Sequence, residues 1–289
     1  MRPDSPSRTA IAVAMHRAVH QALDQPPVFL DPFAGRIIGP RARAVLATHP
    51  RKYERSWYAS YLRALLAVRS RIAEDTLADC VSNGVHQYVV LGAGLDTFGL
   101  RNSYPALRVF EVDHPQTQTW KRRLLAEEAL GEPASLCFVP VNFEHEPWER
   151  GLLAAGLDPA QPTFFSWLGV TPYLEGSVIR TTLETIARLA GNTGGVVFDF
   201  ITRPPSRALF LRLLLWLRAQ SVARLGEPFR SYLDPVIVEA DLKRLGFGDV
   251  KVFSPPELNA RYFENRADRL RIGDVSYVAR AIGIGIGER

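Results

Sequence analysis

The sequence predicts an α/β fold, a doubly wound and mainly parallel sheet of seven strands. Three observations predict it. Short apolar runs alternate with helical patterns from residue 84 onward, the texture of strands joined by crossover helices. The runs at 88–91 and 196–200 are apolar almost throughout, as suits strands covered on both faces. The first run ends in a Gly-x-Gly turn, Gly92-Ala93-Gly94, which suits the edge of such a sheet.

The elements follow in order. Residues 9–23 are amphipathic through Ile11, Met15, Ala18, Val19 and Ala22, and Gln25-Pro26-Pro27 stops the helix. Residues 28–33 read as an extended connector. Residues 59–81 form the longest helix, with Leu62, Leu65, Leu66, Ile72, Ala73 and Leu77 at helical spacing and Gly84 as its C-terminal cap. Strands are expected at 87–91, 107–112, 137–141, 163–167, 195–201, 250–253 and 275–282. Helices are expected at 116–130 and 177–189. The apolar helical stretch 204–225 breaks the alternation and reads as a crossover or a lid. This divides the chain into a helical cover over 1–82 and a core over 83–289, with a lid insertion at about 204–232.

Composition narrows the function. The chain has 289 residues, 47% hydrophobic and 22% charged, which excludes a disordered tail. The net charge of +5 comes almost wholly from arginine, since only Lys52, Lys121, Lys243 and Lys251 are lysines. The arginines are interleaved with acids rather than clustered, so no nucleic-acid partner is expected. Cys80 and Cys137 are too few for a disulfide framework or a four-ligand metal site, and read as small hydrophobes in a reducing cytoplasm. No secretory leader and no membrane span are read. His16 and His20 sit at i,i+4 spacing with no third ligand, so no metal is expected.

The glycine turn carries the sharpest chemistry. Glycines there let the backbone turn tightly and approach a ligand closely. Glu111 and Asp113 close the next strand, 17 residues past Gly94 and 21 past Gly92 respectively. An acid about 20 residues past the glycines is placed to accept hydrogen bonds from a ribose diol. The third glycine of a dinucleotide fingerprint is replaced by Thr97, preceded by Asp96. An acid at the helix N-terminus repels a pyrophosphate but not an amino group or a sulfonium. That favours S-adenosyl-L-methionine over NAD.

Several stretches, in order, carry a family resemblance. They are Leu30-Asp31-Pro32-Phe33-Ala34, Val68-Arg69-Ser70-Arg71, and Leu91-Gly92-Ala93-Gly94-Leu95-Asp96-Thr97 with Arg101. Then come Phe110-Glu111-Val112-Asp113-His114-Pro115 with Lys121, Phe165-Ser166-Trp167-Leu168-Gly169-Val170-Thr171-Pro172-Tyr173-Leu174, and Arg261-Tyr262-Phe263. The chain resembles the leucine carboxyl methyltransferase-like family of class I S-adenosylmethionine-dependent methyltransferases, in its bacterial O-methyltransferase branch. The resemblance implies the Rossmann-like fold of that class and S-adenosyl-L-methionine as cofactor.

It also implies residue roles. Arg69, or Arg71, would pair with the methionine carboxylate. Gly92, Ala93, Gly94 and Asp96 would pass under the ligand. Asp113 would hold the ribose, with Val112 beside it and Glu111 in support. Asn142 and Phe143 stand where the family has an Asp-Leu pair bracketing the adenine. Leu168-Gly169 stands where some members have Glu-Gly, with Trp167 before it. Lys121 reads as a solvated helix residue.

Methyl transfer from a sulfonium needs alignment and exclusion of water more than activation. A carboxylate acceptor needs no base, whereas a hydroxyl benefits from one. His114, His145 and Glu144 are the candidate bases. Trp167, Pro172 and Tyr173, with 228–232 above them, would line the acceptor pocket, and Arg230 would pair with an acceptor carboxylate. The expectation is an O-methyltransferase for a small aromatic or polyketide-like acid in secondary metabolism, cytoplasmic, and a monomer or homodimer. Leu168 and Asn142 leave open a non-catalytic or repurposed S-adenosylmethionine-binding protein.

Overall fold

β1 (Gln87–Leu91) is buried at every residue, because it is an inner strand of a sheet whose two faces are covered by helices. In the computed structural model, residues 8–49, 57–142, 147–204 and 229–284 are described. The other strands are β2 (Arg108–Asp113), β3 (Leu136–Pro140), β4 (Thr163–Trp167), β5 (Gly195–Ile201), β6 (Phe247–Phe253) and β7 (Ser276–Ile284). The sheet order is β3-β2-β1-β4-β5-β7-β6. β1 pairs in parallel with β2 and with β4, Val90 facing Glu111 on one side and Ser166 on the other. Only β7 runs antiparallel, wedged between β5 and β6. The chain order reverses between β1 and β4, which opens a crevice at the carboxyl ends of these strands.

Alternation along the strands sorts their side chains into two cores. On one face Tyr88, Val90, Val109, Phe164 and Val197 meet Val68, Ile72 and Leu77 of the long helix α4 (Trp57–Ser82). On the other, Val89, Leu91, Phe110, Phe165 and Phe198 meet α7 (Trp148–Ala154), α8 (Gly176–Ala190) and α9 (Pro235–Arg244). α8 is amphipathic at the expected spacing, burying Ile179, Leu183, Ile186 and Ala190. α4 ends in a Schellman motif: the Val85 amide donates to the Cys80 carbonyl at 3.0 Å and the Gly84 amide to the Val81 carbonyl at 3.0 Å.

α1 (Arg8–Leu23) packs on α4, followed by α2 (Ala34–Ile37) and α3 (Pro40–Thr48). α5 (Phe98–Arg101) and α6 (Pro115–Glu127) follow β1 and β2, and α10 (Pro255–Tyr262) follows β6. The helices α2 and α3 fall inside the expected helical cover but were not placed individually. With four and nine residues, both are shorter than the window of about 11 residues over which periodicity is read. β6 begins three residues earlier than expected, because Phe247 is buried while Gly248 and Asp249 are exposed and hide the start of the run. Most of the lid insertion, 205–228, lies outside the described residues, as do Phe143, Glu144 and His145. Among the described residues no helix is long and apolar enough to cross a membrane.

Candidate functional site

The turn after β1 is held by the end of β2. Gly92 and Gly94 have φ of 69° and 50°, a left-handed backbone that favours glycine. The Gly92 and Ala93 amides both donate to the Val112 carbonyl, at 2.8 and 3.2 Å. The Gly94 amide donates to Asp113 Oδ2 at 2.5 Å, and the His114 amide to Asp113 Oδ1 at 2.6 Å. A methyl group on Gly92 would lie 2.5 Å from Val170 Cγ2, so the loop after β4 packs against the turn. Burial pushes the Asp113 carboxyl above the ordinary aspartate value, against the two amides and the Lys121 charge.

Beneath the turn lies a buried ion pair. Lys121 Nζ donates to Glu111 Oε2 at 2.5 Å and to the Asp96 carbonyl at 2.6 Å. Both side chains are about 1–2% exposed, so Lys121 is not the solvated helix residue expected from its sequence context. Its ammonium links the turn, β2 and α6. Glu111 Oε1 is buried with no hydrogen-bond partner. Burial pushes the Glu111 carboxyl up to about 7, with Lys121 opposing it.

The N-terminal elements close over the same turn. A methyl group on Gly94 would lie 3.2 Å from Ala10 Cβ of α1. Arg17 of α1 donates through Nη2 to the Leu95 carbonyl at 2.6 Å and lies 3.4 Å from Asp31 and 3.6 Å from Asp96. Asp31 accepts from Thr97 Oγ1 at 2.8 Å, and Arg101 holds Glu74 with a two-pronged contact. Burial alone would raise the Asp96 carboxyl, but the Arg17, Lys121 and Arg101 charges hold it below the ordinary value.

Across the crevice, Arg69 of α4 donates through Nη1 to Asp199 Oδ2 at 2.8 Å. Asp199 Oδ1 accepts the Gly169 amide at 2.5 Å, and the Asp199 carbonyl accepts Thr171 Oγ1 at 2.7 Å. The loop after β4 is thereby fixed. Tyr173 is half-buried, its ring 5.6 Å from that of Phe229, and the Arg230 amide donates to the Pro172 carbonyl at 2.7 Å.

The structure therefore brings Gly92, Ala93, Gly94, Asp96, Glu111, Asp113 and His114 around one turn. Asn142 stands just past β3, where the Val141 amide donates to the Asp113 carbonyl, while Arg69 is held by Asp199 beside Gly169 and Leu168 packs against the first core. Other expected contacts correct differently. Arg71 is exposed and bonded to Asp75, because its position on α4 faces away from the sheet. The Trp167 ring is 1% exposed and packs on Phe198, since odd positions of β4 point into the second core. Val112 is also a core side chain, and only its carbonyl reaches the turn. The Arg230 guanidinium faces solvent 3.7 Å from Glu175. His114 caps α6, Nδ1 accepting the Gln116 amide at 3.3 Å.

Asp199 and Arg17 were not singled out from the sequence, and Asp31 stood there only within a stretch that carries the family resemblance. A lone acid inside an apolar strand was the available signal for Asp199, because a buried carboxylate must be paired. Among the described residues no group of three or more His, Cys, Asp or Glu side chains could hold a metal ion.

Comparison with known proteins identifies relatives. The family model for leucine carboxyl methyltransferase matches residues 10–187. The "Putative S-adenosyl-L-methionine-dependent methyltransferase YktD" of Bacillus subtilis (strain 168) is 29% identical over 304 residues, covering 98% of this chain and 99% of that protein. A Mycolicibacterium smegmatis protein bearing the same description is 30% identical over 240 residues, covering 80% of this chain and 73% of its own length. In fold, the chain is similar to a crystal structure titled as a putative methyltransferase from Thermobifida fusca YX. Its TM-score is 0.54 at 14% identity, with 98% of this chain and 97% of that chain covered.

Proposed function

The chain belongs to the leucine carboxyl methyltransferase family and is an S-adenosyl-L-methionine-dependent methyltransferase, and from that premise we propose that it methylates an oxygen of a small-molecule acid. The observation that supports the cofactor's placement is the Asp113–Gly94 hydrogen bond, which joins the turn after β1 to the end of β2. The residues present fit the cofactor. Asp113 offers carboxylate lone pairs beyond the two amides it accepts, which suit a ribose diol. Gly92 and Gly94 carry no side chain and adopt the left-handed backbone of a tight turn. Arg69 offers a guanidinium for a carboxylate, and Asn142 an amide for the adenine edge. Arg71 takes no part in this reading, since it is bound to Asp75 on the solvent side.

When bound, the cofactor supplies a methyl group already activated on a sulfonium. The protein's residues then bind, orient and exclude water. Arg17, Asp31 and Ala10 hold α1 over the turn and shield it from solvent. Tyr173 and Phe229 form an aromatic wall for a flat, apolar acceptor. A carboxylate acceptor is favoured over a hydroxyl because it is ionised at neutral pH and needs no base. His114 already uses Nδ1 to cap α6, which supports a reaction without an imidazole base.

The test is methyl transfer from labelled cofactor to paired aromatic acceptors differing only in carboxylate or hydroxyl. Ester formation on small aromatic acids is expected. Turnover of a large charged peptide with none of the small acids would overturn the acceptor class.

A further inference from the structure

Asp199 sits at the carboxyl end of β5, 5% exposed, with both carboxylate oxygens engaged. One accepts Arg69 Nη1 at 2.8 Å and the other accepts the Gly169 amide at 2.5 Å. Gly169 has φ of 75°, and a methyl group there would lie 2.8 Å from both Nη1 and Nη2 of Arg69. Any side chain at 169 would therefore push the guanidinium out of its place. Three elements, α4, the loop after β4 and β5, thus specify one position for one guanidinium.

A buried ion pair is a poor way to stabilise a fold. Desolvation of both charges offsets most of their attraction, and apolar replacements are often neutral or stabilising. Arg69 has five N–H donors, and among the described residues only one is bonded, to Asp199. The pair keeps the guanidinium charged and aimed while leaving donors of the fork free. We propose that Asp199 is a positioning residue that orients the Arg69 guanidinium to receive the amino-acid carboxylate of the cofactor. This rests on the assignment of Arg69 to that carboxylate.

Two ligands separate positioning from mere stability. S-adenosylhomocysteine carries the amino-acid carboxylate, whereas 5′-methylthioadenosine shares its nucleoside and thioether but lacks it. Asp199→Asn keeps an acceptor for Gly169 and removes the charge that aims Arg69. Calorimetric titration is expected to show S-adenosylhomocysteine binding weakened about tenfold, the worth of one charge-assisted contact. Methylthioadenosine affinity is expected to change less than about twofold. Equal weakening for both ligands, or no weakening for either, would overturn the proposal. Should Asp199→Asn not fold, Arg69→Lys retains the charge opposite Asp199 but loses the fork, and the same split is expected with the same overturning result. Should the unsubstituted protein bind both ligands equally well, the assignment of Arg69 falls, and the inference with it.

Discussion

The Gly94 amide and the Asp113 carboxylate are joined by a 2.5 Å hydrogen bond, so the turn after β1 and the acid after β2 form one unit. The spacing of glycines and acid along the chain is the sequence trace of that contact. Parallel pairing of Leu91 with Val112 brings the two strand ends level, and the next residues of each then meet.

Asp113→Ala is expected to weaken S-adenosylhomocysteine binding by more than tenfold. It removes the proposed diol acceptor and also leaves the Gly94 amide without its partner. The stability loss should be modest, about 1–3 kcal/mol, because these amides lie near solvent and water can reach them. Titration and thermal melting together check this. Unchanged affinity would remove Asp113 from the site.

Gly92→Ala carries two separable penalties. The backbone φ of 69° costs an alanine about 1–2 kcal/mol, and its methyl would lie 2.5 Å from Val170 Cγ2. Adding Val170→Ala should relieve the clash and leave the backbone cost. The double variant is therefore expected to melt above Gly92→Ala but below Val170→Ala. If it melts no higher than Gly92→Ala, the contact with Val170 is not what limits position 92.

The strands and the turn were legible because they repeat a pattern. β4 and β5 were placed residue for residue, being largely apolar runs bounded by Pro162 and Gly194 on one side and by Leu168-Gly169 and Thr202 on the other. The site beyond the turn was less legible, because its contacts join residues far apart in the chain. Arg69 and Asp199 are 130 residues apart, and Arg17 reaches Leu95 across 78. No local spacing encodes such pairs. Lys121 misled for a related reason. Arg122 and Arg123 beside it are exposed, and one lysine in such a run looks solvated until the fold buries it against Glu111. Trp167 illustrates the reverse error: an aromatic at a strand end suggested a pocket wall, while strand alternation had already assigned it to the core.

Glu111 should leave a mark on the pH dependence of stability. Its carboxyl is pushed up to about 7 in the folded chain from an ordinary 4.5, by burial first and against Lys121. Between those values the folded chain holds a proton that the unfolded chain has released. This group's contribution is therefore fully present below about 4.5 and is lost as pH rises through 7. Replacing both partners, Glu111→Gln with Lys121→Met, should flatten that part of the melting-temperature profile relative to the unsubstituted protein. Parallel profiles from pH 4.5 to 7 would show that Glu111 does not titrate there. The single variant Glu111→Gln should cost more than the double one, since it strands a buried ammonium.

Arg17 fastens α1 over the turn through three acceptors at once, the Leu95 carbonyl, Asp31 and Asp96. Asp31 has other partners, Thr97 Oγ1 at 2.8 Å and Arg101 at 3.9 Å, so it is not stranded when Arg17 is removed. The Leu95 carbonyl would lose the Arg17 contact. Arg17→Met keeps much of the apolar stem and removes the charge, which should cost about 1–3 kcal/mol. The loss is local, because the strands β1 and β2 are tied to each other and to the core independently of α1. Hydrogen exchange is therefore expected to quicken at the amides of α1 and around Leu95, while amides within β1 and β4 keep their protection. Exchange that quickened equally in β1 and β4 would mean that α1 and the sheet unfold together, and that Arg17 holds the fold as a whole rather than the cover over its glycine turn.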